Sequence, residues 1–160
     1  MAELGYTGSM QDEFMRLLTV KSPTLSDLKV LALMESAGKS AYEAQVRGVS
    51  DEGVKKLLMQ NAREEYAHAV RLRQAIKLLY GEDFTIPADA ENPFATPESE
   101  ITPVHREGLE ALAHGEIMGG DFYDGWADAL EHQEAAALLR QNGQEERRHA
   151  DRLREAAALL

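Results

Sequence analysis

Two ten-residue stretches decide the fold: EEYAHAVRLR at residues 64–73 and EERRHADRLR at residues 145–154. Each holds a Glu-Glu pair, a His three residues after the second Glu, and an Arg-Leu-Arg ending, and the two stand 81 residues apart. The same offset extends outward without a gap. Gln60-Asn61 falls on Gln141-Asn142, and Leu57-Leu58 on Leu138-Leu139. Farther upstream Tyr42 falls on Tyr123, Gly38 on Gly119, Glu35 on Glu116, and Leu31-Ala32 on Leu112-Ala113. The chain therefore reads as two copies of one helical hairpin, related by an approximate two-fold axis.

Helical periodicity dominates between these landmarks, and no segment alternates as a strand does. A short amphipathic piece, Met10 to Val20, predicts one small helix inside an N-terminal segment of residues 1–21. The first long helix is predicted from about Leu25 to Arg47, with Leu28, Leu31, Ala32 and Ala41 at three- and four-residue steps. Gly48 ends it, and Ser50 reads as the N-cap of a second helix reaching Tyr80, with Gly81 in the C-cap position. Residues 81–102 lose the period and gain Pro87, Pro93 and Pro97, which predicts a long connection. Thr102-Pro103 reads as a helix start, with the third helix running to about Leu130 and a fourth from near Gln133 to Leu159. The expectation is one domain over residues 1–160, with hairpins at 22–80 and 103–160.

A chain of 160 residues buries roughly 70% of its unfolded surface without disulfide help. It has no cysteine, which excludes disulfides, thiolate-held zinc, iron–sulfur clusters and a built-in rubredoxin centre. The net charge of −11 argues against nucleic acid as a partner. No stretch has the form of a signal peptide or the length of a membrane span. A soluble, cytoplasmic protein is expected.

The polar members of the repeat carry the chemistry. Glu65 and His68, three apart, project from one face of the second helix, and Glu146 and His149 do the same on the fourth. Glu35 and Glu116 sit singly in apolar stretches of the first and third helices. In each half the single Glu precedes the Glu-x-x-His by 30 residues. A hairpin bend near Gly48 or Leu130 brings those positions to one height. Four carboxylates and two imidazoles then converge at mid-bundle, where the carboxylates would repel one another unless protonated or bound to cations. Carboxylate oxygen with imidazole nitrogen suits iron, and also manganese or zinc.

One Glu from each of two helices, with a Glu-x-x-His from each of the other two, resembles the ferritin-like di-iron proteins, the bacterioferritin and rubrerythrin superfamily. The resemblance covers about residues 25–155. It implies an all-α, ferritin-like four-helix bundle of two hairpins joined by a long crossover, plus the short N-terminal helix. The crossover between helices 2 and 3 would be residues 81–102, which extended can span the ~40 Å of a bundle helix.

By the same resemblance two metal ions, iron foremost, are held per chain. Glu65 and Glu146 would bridge them, Glu35 with His68 completing one and Glu116 with His149 the other. Glu64 is expected to orient His149 across the bundle, and Glu145 to orient His68. Tyr42 and Tyr123 resemble a family tyrosine that hydrogen-bonds a ligand or donates an electron; as residues alone they fit plain core aromatics equally. Gly38 and Gly119, each three residues after a ligand Glu, are read as leaving room for dioxygen or peroxide. Rubrerythrins carry an additional glutamate at the place of Gly119, and this chain does not. Tyr66 stands where bacterioferritin has its haem methionine, so no haem is expected. Arg71, Arg73, Arg152 and Arg154 read as solvated or salt-bridging, Trp126 as core or dimer packing, and His105, His114 and His132 as surface or loop.

Three functions fit such a site. The first is a rubrerythrin-like peroxidase, reacting Fe(II) with hydrogen peroxide or dioxygen and re-reduced by an external donor such as a rubredoxin. Ferroxidase and iron storage is the second, and an iron-holding binding protein the third. A homodimer is the expected assembly.

Overall fold

Side chains cap the N-termini of four of the five α-helices among the described residues, the fourth helix being the exception. The computed structural model describes residues 9–160, so the first eight residues of the expected N-terminal segment lie outside the described residues. Ser9 and Asp12 form a capping box on α1 (Met10–Leu17), and Thr24 and Asp27 form another on α2 (Leu25–Gly48). Asp51, not Ser50, caps α3 (Glu52–Tyr80), its carboxylate accepting from the Val54 amide at 2.9 Å. Gly81 ends α3 with φ 69°, the left-handed conformation that favours glycine. After a 3₁₀ turn at Asp89–Glu91 come α4 (Arg106–Ala129) and α5 (Gln133–Ala158).

The start of α4 corrects the sequence expectation. The segment after Thr102 stays extended, because the Thr102 amide donates to the Ala44 carbonyl at 3.1 Å and so is tied to α2. The helix begins three residues beyond Pro103, at Arg106. Similarly α1 stops at Leu17 rather than Val20, whose carbonyl instead accepts from Trp126 Nε1 at 2.9 Å.

Helix α2 packs along α3, α4 along α5, and α3 against α5. Among the described residues no Cα of α2 comes within 8 Å of one in α4. The fold is a ferritin-like, all-helical bundle that is closed on its α3/α5 side and parted on its α2/α4 side. Two apolar clusters fill the ends. Leu28, Leu72, Ile76, Trp126 and Leu139 belong to one, and Val54, Leu58, Leu109 and Leu153 to the other. The polar repeat residues occupy the layer between.

The crossover runs along α2. Asn92 Nδ2 donates to the Leu33 carbonyl at 2.8 Å, the Thr96 amide to Ser40 Oγ at 2.8 Å, and Arg47 Nε to the Glu100 carbonyl at 2.8 Å. Consequently α2 is buried nearly all round, whereas Ala111, His114, Gly115 and Met118 on α4 remain exposed. No helix among the described residues is long and apolar enough to cross a membrane.

Candidate metal centre

Both histidines are fully buried, and their rings stack with centroids 5.1 Å apart. Each turns Nδ1 inward. His68 Nδ1 lies 3.2 Å from Glu35 Oε2, 3.2 Å from Glu146 Oε1 and 3.9 Å from Glu65 Oε2. His149 Nδ1 lies 3.2 Å from Glu65 Oε1, 3.3 Å from Glu146 Oε2 and 3.9 Å from Glu116 Oε2. Two overlapping groups result, Glu35–Glu65–His68–Glu146 and Glu65–Glu116–Glu146–His149, each with its donor atoms within 4.8 Å of one another. Glu65 and Glu146 belong to both.

The outward nitrogens are held from behind. His68 Nε2 is 3.2 Å from Glu145 Oε2, and His149 Nε2 is 3.1 Å from Glu64 Oε2. Arg71 clasps Glu145 through two contacts of 2.9 and 2.8 Å and also donates to Asn142 Oδ1. Arg152 clasps Glu64 through two of 2.8 Å and donates to Asn61 Oδ1. Asn142 and Asn61 in turn donate to the backbone carbonyls of His68 and His149. A proton kept on Nε2 by its carboxylate leaves the Nδ1 lone pair for the cluster, as metal-binding imidazoles require.

Tyr123 donates to Glu35 Oε1 at 2.7 Å, and Tyr42 donates to Glu116 Oε1. These bonds cross the gap between α2 and α4, each tyrosine serving the carboxylate of the opposite hairpin.

The electrostatics are those of crowded acids. Burial, then the charge of Glu146, pushes Glu35 up to about 8. Burial, Glu146 and Glu65 likewise hold Glu116 well above the usual carboxylate range. Burial acts the same way on Glu146, but His149 and His68 beside it reverse the effect and keep it ionised. Burial alone would lower His149, yet Glu146 and Glu65 raise it to about 9. The cluster thus holds protons where divalent cations would serve better. Glu146 Oε2 and His149 Nδ1 are buried without a hydrogen-bond partner, although only 3.3 Å apart. Two unsatisfied donor atoms among buried carboxylates fit a pair of cations with oxygen and nitrogen preference.

A cavity of about 320 Å³ opens between α2 and α4 and reaches Glu35, Glu65, Glu116 and Glu146. Its walls include Phe14, Leu31, Met34, Ala41, Leu112 and Phe122, and among the described residues the four glutamates are the only acids that line it. Gly38 and Gly119 both face it, but they differ. A Cβ on Gly38 would stand 2.8 Å from Glu65 Oε2, whereas one on Gly119 would make ordinary contact with Glu146 at 3.7 Å.

Glu35, Glu65, His68, Glu116, Glu146 and His149 meet in this layer, with Glu64, Glu145, Tyr42, Tyr123, Gly38 and Gly119 beside it. The other histidines stand apart: His105 and His132 precede α4 and α5, and His114 is exposed. Sequence reasoning missed the parts played by Asn61, Asn142, Arg71 and Arg152. Their signal was present, since all four repeat at the same offset as the ligands, but arginines at helical spacing look like any solvated face.

The comparisons agree with this geometry. A family model described as Rubrerythrin matches residues 32–157. No curated protein matches the sequence. A solved structure of a hypothetical protein from Pyrococcus furiosus has the same fold, with a TM-score of 0.62 at 21% identity, covering 85% of this chain and 89% of that one. The chain belongs to the rubrerythrin family. Membership and the carboxylate–histidine cluster together point to a di-iron protein.

Proposed function

We propose that this member of the rubrerythrin family is a di-iron oxidoreductase, a peroxidase acting on hydrogen peroxide, with dioxygen as the slower oxidant, and re-reduced by an external donor such as a rubredoxin. Glu35, Glu65, His68 and Glu146 would hold one iron, and Glu65, Glu116, Glu146 and His149 the other. When bound, the ferrous pair supplies the two electrons that a peroxide needs. The chain's own groups do the rest. Glu64 and Glu145 keep the imidazoles in the binding tautomer, Tyr42 and Tyr123 steady the two single glutamates, and the apolar walls keep bulk water away.

The observation that carries this reading is the chemistry of the approach. Among the described residues the cavity above the ligands has no acid besides the ligands themselves. A neutral oxidant crosses such a wall readily, whereas the iron traffic of a storage protein would need carboxylates along its route. An external donor is supported by the opposite side. Helices α3 and α5 carry 11 of the 17 Lys and Arg but only eight of the 28 Asp and Glu, so an acidic redox protein is attracted behind the two histidines. A homodimer belongs to the same proposal, and sedimentation at micromolar concentration tests it.

The deciding experiment is an anaerobic Fe(II) titration followed by peroxide and, separately, air. Binding that stops at two irons per chain, with peroxide far faster than air, is the expected result. Continued oxidation of many irons per chain, kept in solution, would make the protein a ferroxidase and iron store instead.

A further inference from the structure

We propose that the oxidant is an organic hydroperoxide, ROOH, whose apolar group R lies in the cavity between α2 and α4 while its O–O end reaches the metal-binding carboxylates. The proposal rests on the peroxidase reading above and adds the substrate class. Hydrogen peroxide has two heavy atoms. At roughly 30 Å³ for a water-sized group, a cavity of about 320 Å³ holds about ten such groups. Interiors normally close voids of this size with side chains, and at the exposed rim of this one Gly115 offers none. A Cβ added at Gly115 meets nothing within 4 Å.

The lining sorts by chemistry in the order an amphiphilic peroxide requires. Met10 and Leu112, both over a third exposed, stand on the solvent side. Leu31, Met34, Ala41 and Phe122 add apolar wall that Gln45 interrupts, and Glu35, Glu65, Glu116 and Glu146, with Tyr42 and Tyr123 bonded to two of them, supply the polar end. Water inside has few polar partners along that wall and is readily displaced by an alkyl or aryl group. On the other side Glu145 with Arg71 and Glu64 with Arg152 stand behind the histidines. In the reaction the O–O bond of ROOH breaks, two ferrous ions give one electron each, two protons are taken from solvent, and ROH and water leave.

The test separates binding from turnover. Zinc-loaded protein, which is redox-inert, is titrated calorimetrically with the n-alkanols from 1-butanol to 1-nonanol, analogues of the product ROH. Affinity is expected to rise about four-fold per added methylene, the worth of one buried CH₂. Gly115→Phe, which fills the cavity from a helix position where glycine is the poorer former, is expected to weaken 1-octanol at least ten-fold while two zinc ions stay bound. In parallel the ferrous protein is mixed with hydrogen peroxide and with octyl hydroperoxide, and the longer reagent is expected to react at lower concentration. Affinity indifferent to chain length or to Gly115→Phe overturns the proposal. So does binding that vanishes as protein concentration rises through a dimerisation, since a second copy would then own the cavity. If hydrogen peroxide reacts fast while alkanols fail to bind, the peroxidase reading survives and the hydroperoxide falls. If alkanols bind in steps but neither peroxide oxidises the iron faster than air, the peroxidase reading fails and this proposal with it.

Discussion

Glu35 and His149 hold protons that a metal ion must displace, and that makes the metal-free protein sensitive to pH in a stated direction. Glu35 is raised from 4.5 to about 8 and His149 from 6.5 to about 9. A group raised on folding contributes stability below its unfolded value and loses it as pH climbs through the folded one. Glu145, held at about 2 by His68 and Arg71 against its burial, and Glu146, also lowered, act in the opposite sense and lose their contribution as pH falls below 4.5. The metal-free melting temperature should therefore peak near pH 5 and decline toward pH 9. Zinc binding at pH 7 should release protons, detectable in weakly buffered solution, and its affinity should climb toward pH 9. Melting temperatures that rise steadily from pH 5 to 9 without zinc would contradict the assignment. Arg71 has a measurable role as well: Arg71→Met leaves Glu145 without its clasp, and zinc affinity should fall about 10- to 100-fold, with the helical content unchanged by circular dichroism.

At the scale of elements, the connection between hairpins is held by few atoms. Asn92→Ala removes the donor to the Leu33 carbonyl, and urea unfolding should register a loss of about 1 kcal/mol. Gly48→Ala is harsher, because its Cβ would lie 1.9 Å from the Thr102 carbonyl oxygen, a backbone atom that must move; a loss of about 1–3 kcal/mol is expected. Equal stability of Gly48→Ala and wild type would show that the crossover does not dock there. These positions also mark the limit of what the chain reveals as text. The helices and the six converging donors were legible because the repeat pairs each residue with a twin at constant offset. The start of α4 was not, because Thr102-Pro103 has good helix-start chemistry that the bond to Ala44 overrides from another element. Ser50 lost to Asp51 for a local reason, since both residue types cap well and only geometry chooses. The parting of α2 from α4 has no periodic signature at all; it follows from where glycines and the crossover fall in space.

For the whole molecule, an unequal charge distribution sets how partners arrive. Cations gather on α3 and α5 in a chain of net charge −11. Reduction of the oxidised protein by an acidic donor should slow as salt rises from about 0.01 to 0.15 M, while the reaction with neutral peroxide stays constant. A peroxide step as salt-sensitive as the reduction step would refute that separation. The crossover has a consequence of another kind. It lies along α2 and leaves α4 bare, so the Glu35 side chain is 9% exposed and that of Glu116 15%. Duplicated sequence gives two chemically identical ligand sets, yet the strap grants each a different local field. Two iron nuclei seated there should not be interchangeable to a spectroscopist: the Mössbauer spectrum should resolve into two quadrupole doublets of equal area, a near-symmetric dimer of sites made a labelled pair by one length of connecting chain.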